Sequence, residues 1–330
     1  MNKFIVLDIN HGGDYLASIL KDRGYEVIVY DTYQTRGEKR QEINKKNIQV
    51  IDSVERNYID YTIVHPVHCP EHFLSSFSDN KKLTHHELVK FLFNGKNNVI
   101  EITGSKGKTT TAHILAYLLS FDDEVFLNSS MGFETFLKGK ARVLDENNSI
   151  SAGYTAKILS EHNKMPQVLE ESLGICGVGN ISILTSTNPV YKIKGGNSNS
   201  LEAKKQLFKL SEDKIIIDGK DKIANDLADE SGKEVIRIWE DVRIELPDYL
   251  EIGKDVQSSI YFKDLELQSK FNGNYLLAGY VNPMLFSIMA LKILNKDLGK
   301  MSEHLTMFNG VANRLSVVKE NDYTKIIDKS

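Results

Sequence analysis

Apolar residues along this chain gather in short unbroken runs, separated by polar segments that contain glycine. FIVLDI at 4–9 is short, apolar and rich in β-formers, which predicts a buried strand. HGG follows at 11–13, and then Tyr15, Leu16, Ile19 and Leu20 share one helical face. YEVIVYD at 25–31 and YTIVHPVH at 61–68 read as two more strands. Strand, glycine turn, helix and strand together predict a Rossmann-like N-terminal unit over residues 1–93. Gly12 and Gly13 carry two readings. They form a tight turn that starts the helix close to the strand, or they offer bare N–H groups to an anionic ligand.

The pattern restarts at 94. VIEIT at 99–103 predicts a strand, and TAHILAYLL at 111–119 an amphipathic helix. VLEES at 168–172 and ISILTS at 181–186 read as buried strands of the same sheet. The polar loop KGGNSNS at 194–200 leads to a helix at 201–210 and a strand, KIIIDG, at 214–219. Mixed signals at 240–267 suggest short antiparallel strands, and 283–294 reads as a helix. The fold class is α/β, with a central unit at 94–312. Residues 314–330 read as a β-hairpin, which lacks a core of its own. Residues 313–330 are therefore expected to be the start of a C-terminal domain that is truncated.

Composition changes this picture little. A chain of 330 residues corresponds to two or three domains. With 41 Lys+Arg against 45 Asp+Glu the formal charge is −4, which gives no general attraction to nucleic acid or anionic membranes. Cys69 and Cys176 lie far apart and form no zinc-type spacing, which fits a reducing compartment. The first apolar run is broken by Asp8, and none approaches the roughly 18 residues of a membrane span. The expectation is a cytoplasmic protein acting on a small molecule.

Candidate chemistry concentrates at Gly104-Ser105-Lys106-Gly107-Lys108-Thr109-Thr110. Strand, glycine loop and helix come in the order of a phosphate-binding loop. Glycines let N–H groups cradle phosphate oxygens. Lys108 would reach the terminal phosphates of ATP, and the Thr109 hydroxyl would face Mg²⁺. A strict P-loop has Gly where this chain has Ile102.

ITGSKGKTTT resembles the ATP-binding loop of the Mur ligase family, and the resemblance continues in order over 4–330. It implies an ATP- and Mg²⁺-dependent ligase that activates a substrate carboxylate as an acyl phosphate. The family glutamate matches Glu170 in Glu170-Glu171-Ser172, with Glu171 as the neighbouring alternative, and would hold Mg²⁺. Ala203-Lys204 matches the pair whose lysine is carbamylated and so becomes a metal-orienting oxygen ligand, although Lys205 leaves the register open by one. Asn282 would lie near adenine. GVANRLSVV resembles the family's hinge, with Asn313 in place of a glycine; Arg314 and Asp328 would contact the nucleotide. The family's Asp-His pair has no counterpart in TSTNPVYKIKGG, which leaves its second metal ligand unidentified.

Six of the nine histidines fall between His11 and His86. DINHGG and THHE resemble segments of an archaeal Mur ligase homologue that acts on a nickel tetrapyrrole in methanogenesis. That resemblance implies His11, Gly12, Gly13, His65, His68, His85 and His86 as substrate residues. A separate metal site from His65, His68, Cys69 and His72, and ordinary structural histidines, are the other readings. A pseudomurein peptide ligase acting on a UDP-linked peptide and a non-catalytic nucleotide-binding module are the competing functions.

Overall fold

The computed structural model describes residues 3–35, 37–55, 58–95, 98–162, 164–193, 198–320 and 323–329. The polar loop expected at 194–200 thus lies partly outside the described residues.

The first unit is a parallel sheet of β1 (Lys3–Leu7), β2 (Glu26–Tyr30), β3 (Gln49–Ile51), β4 (Thr62–His65) and β5 (Lys82–Thr84), in the order β3-β2-β1-β4-β5. Helices α1 (Asp14–Asp22), α2 (Glu38–Lys45), α3 (Glu71–Leu74) and α4 (His85–Phe93) accompany it. Phe4 to Leu7 are fully buried, as a strand covered on both faces requires. The strand stops at Leu7, short of the expected Ile9. Asp8 takes a φ of 71°, and its carboxylate accepts from the N–H groups of Asn10 and His11, which turns the chain sharply. Thr84 and Glu87 form a reciprocal capping box, so THHE is the start of α4.

The second unit holds β6 (Val99–Thr103), β7 (Val125–Ser129), β8 (Gly132–Leu137), β9 (Lys140–Asp145), β10 (Gln167–Glu170) and β11 (Ile181–Leu184). A small ladder of β12 (Lys192–Ile193) and β13 (Ser198–Asn199) precedes β14 (Lys214–Asp218) and β15 (Val235–Ile238). The main sheet runs β15-β14-β11-β6-β10-β7-β8-β9, parallel except for β8 and β9. Its helices are α5 (Lys108–Leu119), α6 (Ala152–Glu161), α7 (Ser200–Leu210) and α8 (Lys222–Ser231). Beyond them lie an antiparallel sheet of β16 (Val242–Glu245), β17 (Val256–Phe262) and β18 (Glu266–Phe271), helices α9 (Leu277–Ile293) and α10 (Leu298–Met307), and a hairpin of β19 (Ser316–Glu320) and β20 (Tyr323–Ile327).

Two helix expectations need correction. The run 111–119 is buried all round rather than on one face, because α9 covers the side that the sheet leaves open. The Ser287 hydroxyl of α9 donates to the Thr111 carbonyl at 3.2 Å. α9 itself starts at Leu277, ahead of Pro283, which lies inside the helix.

The two units share a core. Leu16, Leu20, Leu88 and Val89 of the first belong to one cluster with Phe126, Tyr154, Ile158 and Leu169 of the second. At this junction a Cβ on Gly153 would lie 2.1 Å from the Gly12 carbonyl oxygen, so two backbones meet where only glycine fits. Among the described residues no helix is long and apolar enough to cross a membrane.

Candidate active site

The carboxyl ends of the central strands bring the phosphate loop, Glu170 and the loop after β11 together. Gly104, at φ 148°, closes on that last loop; a Cβ there would sit 2.1 Å from the Thr185 hydroxyl. Gly107, at φ 83°, caps α5 in the left-handed region. The amides of Ser105 and Lys106 donate to the Ser186 carbonyl and hydroxyl at 2.9 and 2.8 Å. Those two N–H groups therefore brace the loop against the segment after β11. The first-turn amides of α5, at Lys108, Thr109 and Thr110, have no intrahelical acceptor, and the positive end of the helix lies there.

Five side chains converge at this turn. The Thr109 hydroxyl donates to Glu170 Oε1 at 3.2 Å and lies 3.0 Å from the Ser130 hydroxyl. The Ser130 amide donates to Glu170 Oε2 at 3.0 Å. Lys108 Nζ is 3.7 Å from Glu170 Oε1. Arg314 reaches the same point, Nη2 to the Ser130 hydroxyl at 3.5 Å. Hard oxygen donors beside a cation and a helix N-terminus fit Mg²⁺ and polyphosphate, and Thr109 and Glu170 are the residues that would hold the ion. Ser130 was not singled out from the sequence; its signal is its place just after β7, at the same sheet edge.

Glu171 faces the other way. It accepts from the Thr155 hydroxyl and the Cys176 amide, each at 2.8 Å, and burial beside Glu101 pushes it up to about 8. Lys204 is fully buried while Lys205 pairs with Glu202 at the surface. The Lys204 amine is 3.5 Å from the Ser200 carbonyl and 5.1 Å from the Tyr191 ring. Burial, with the Lys108 charge, lowers it to about 8. Asn282 donates to Asp218 at 2.7 Å and accepts from the Trp239 indole at 3.0 Å, with the Lys220 amine over the indole ring. Asn313 takes the left-handed φ of 59°, which explains how asparagine serves where the family pattern has glycine. Asp328 is exposed, beside Lys329, whose carbonyl accepts from Arg314.

The N-terminal histidines meet at the reversal point of their own sheet, between the ends of β1 and β4. His11, His68, His85 and His86 line a cavity of about 150 Å³ with Ser149, Ser151 and Ser172 of the second unit. That is smaller than the roughly 300–1,000 Å³ that encloses a whole drug-sized ligand, so it admits one edge of a larger molecule. His11 Nδ1 lies 2.5 Å from Asp8 Oδ2. His85 and His86 are buried, and burial lowers them to about 3 and about 4. His65 lies half-buried at the end of β4. The Gly13 amide donates to the Asp8 carbonyl, and Gly12 abuts Gly153. The Gly13 amide is thus occupied within the turn, and Gly12 serves the close approach to Gly153. His72 packs at a tilt against Phe73, and among the described residues His65, His68, Cys69 and His72 form no ligand cluster; Asp8, not singled out from the sequence, lies with His11 and His68 instead.

No family model matches the chain. Against solved structures it superposes on MurF from Acinetobacter baumannii with a TM-score of 0.56 at 13% identity, covering 99% of this chain and 67% of that one. In sequence it is 23% identical to UDP-N-acetylmuramoylalanine–D-glutamate ligase of Bacillus subtilis over 96% of this chain and 68% of that protein. The chain thus has the fold of the Mur ligases. In sequence it resembles coenzyme F(430) synthetase: it is 30% identical to that of Methanosarcina acetivorans over 221 residues, 62% of this chain and 47% of the relative. It spans about half the length of the coenzyme F(430) synthetases it matches.

Proposed function

We propose that this chain belongs to an ATP-dependent ligase that closes the carbocyclic ring of a nickel seco-tetrapyrrole acid, as a coenzyme F(430) synthetase. Residues 94–312 form the nucleotide unit in this reading, and residues 1–93 the substrate unit. The observation that carries the ligase assignment is the convergence of Lys108, Thr109, Ser130 and Glu170 at one helix N-terminus. The similarity to coenzyme F(430) synthetases, with the histidine-lined cavity at the sheet crevice, supports the substrate.

The residues divide the work as follows. The first-turn amides of α5 and Lys108 would hold the phosphates, and Thr109 and Glu170 would hold Mg²⁺. Bound Mg²⁺ neutralises charge on the transferring phosphoryl group. A substrate carboxylate oxygen attacks the γ-phosphorus and the bond to ADP breaks, giving an acyl phosphate. A nucleophile of the same substrate then displaces phosphate and loses its proton. Lys204, once carbamylated, would itself become an oxygen ligand that orients a second metal ion. Arg314 reaches the phosphates from the hinge side. Positioning and charge neutralisation supply the rate.

A titration of the purified chain tests the substrate, with the nickel seco-tetrapyrrole acid followed by visible absorbance and a UDP-linked peptide by calorimetry. Binding of the tetrapyrrole alone is expected. Binding of the peptide alone would move the protein to cell-wall assembly. Glu170→Gln should lower Mg²⁺-dependent ADP release by at least about a hundredfold, as loss of a transition-state electrostatic contact does. Undiminished turnover would refute the role of Glu170, and absence of turnover in the parent would favour a non-catalytic module.

A further inference from the structure

We infer that Asp8, His11 and His68 form a binding site for one divalent first-row transition-metal ion, separate in place and chemistry from the Mg²⁺ position at Glu170. Asp8 and His11 follow β1, and His68 follows β4, so two neighbouring strand ends deliver the three groups to the sheet crevice. One ligand atom from each lies within 4.8 Å of the others. Asp8 Oδ2 is 2.5 Å from His11 Nδ1 and 3.9 Å from His68 Nε2. The two imidazoles stand edge to face, 4.5 Å between centroids.

Three features distinguish this cluster from ordinary hydrogen bonding. His68 Nε2 is buried with no hydrogen-bond partner, aimed at a carboxylate oxygen that is too far away to accept from it. A buried polar nitrogen in that state needs an explanation, and an ion between the two atoms supplies one. Second, the other Asp8 oxygen accepts from the amides of Asn10 and His11 at 2.9 and 3.3 Å. The carboxylate is thereby held in orientation with Oδ2 turned toward His11 and His68, the outer-shell support that metal ligands have. Third, Asp8 sits at φ 71° and ψ 92°, outside the ordinary regions for a non-glycine residue; such strain concentrates at functional sites.

Two imidazoles and one carboxylate suit Zn²⁺, Ni²⁺, Co²⁺ or Fe²⁺ and not Mg²⁺ or Ca²⁺. Coordination at about 2.0–2.2 Å places ligand atoms about 3–3.5 Å apart. The Asp8–His11 contact must open and His68 must move inward, both by side-chain rotation on the ångström scale. The neighbouring cation Lys39 pairs with Asp14 at 3.6 Å. The remaining coordination positions face the cavity of about 150 Å³ that His86, Ser149 and Ser151 help to line. Three protein ligands with open positions are the pattern of a site that accepts water or a substrate atom.

The test uses the whole chain, stripped with chelator and titrated with Co²⁺ in excess Mg²⁺. Visible d–d absorption and equilibrium dialysis read the binding. One Co²⁺ per chain is expected, displaced by Zn²⁺. His11→Gln and His68→Gln should each weaken binding about tenfold or more, while His72→Gln leaves it unchanged. X-ray absorption on the wild-type Co²⁺ complex should show two imidazoles; this arm needs no variant to fold. No uptake by the wild type, uptake unaltered in both histidine variants, or an all-oxygen shell would each overturn the site. None of these readouts requires ATP or tetrapyrrole, so the site and the ligase reading stand or fall separately.

Discussion

Lys204→Met should make the protein more stable while removing a residue assigned to catalysis. The Lys204 side chain has no exposed surface. Burial and the charge of Lys108 lower its pKa from 10.5 to about 8. The folded state therefore binds this proton less tightly than the unfolded chain. Stability is lowest below pH 8 and rises as the pH climbs from about 8 to about 10.5, where both states become neutral. At about 1.36 kcal/mol per pH unit, keeping the buried ammonium costs up to about 3 kcal/mol at pH 7, about 2 at pH 9 and about 1 at pH 10. Methionine fills the space of the stem without the charge. Its advantage over the parent should shrink along the same curve, measured by urea unfolding in CO₂-free buffers. Bicarbonate should add the mass of one CO₂ to the parent and nothing to the variant, because the neutral amine is the form that reacts. A parent more stable than Lys204→Met at pH 7, by an amount independent of pH, would mean that the ammonium is paired in the fold, and the reasoning would fail.

Gly153→Ala places a methyl 2.1 Å from the Gly12 carbonyl oxygen, and should destabilise the junction by about 1–3 kcal/mol. Hydrogen exchange should show the loss in α1 and α6, and unchanged protection there would refute the close approach. His85 and His86 are held neutral, at about 3 and about 4, so the unfolded state takes up protons that the folded state refuses. Stability should fall by about 4 kcal/mol between pH 7 and pH 5, about 2 for each histidine. His85→Gln/His86→Gln should flatten that slope, and a parent already flat over this range would contradict the burial.

The features legible in the sequence are those set by local spacing. The phosphate loop was readable because its glycines, lysine and threonines lie within seven residues between a strand and a helix. β1 was readable because it is buried on both faces. What was not readable depends on partners remote in sequence. The all-round burial of α5 comes from α9, which no window around 111–119 contains. The antiparallel strands β8 and β9 were missed although Lys138-Gly139 between them offered a turn; both residues take positive φ, as a tight hairpin turn requires. Asp8 joins His68 only because β4 lies beside β1. Of HPVHCPEH, one of several readings of which was a ligand set, only His68 lies within reach of Asp8 and His11.

The two ambiguous doublets, Glu170-Glu171 and Lys204-Lys205, could not be separated by composition, since both members have the same chemistry. Geometry separates them, because a shift of one residue reverses the face of a strand and rotates a helix position by about 100°. At the glutamates the choice is also reinforced from behind. Glu101 on β6 accepts four amides, those of Cys176, Gly177, Val178 and Gly179, at 2.8–2.9 Å. That fixes the loop after β10, and the Cys176 amide of the same loop donates to Glu171. Glu171 carries no charge toward the nucleotide side, because it is satisfied on the far side of the strand and burial beside Glu101 favours its protonated form. Glu170 is thereby directed to Thr109 and Ser130 by both strand alternation and the anchoring of its neighbour. Loosening the 176–179 loop would free the register of the acid assigned to Mg²⁺, even though no residue of that loop touches it.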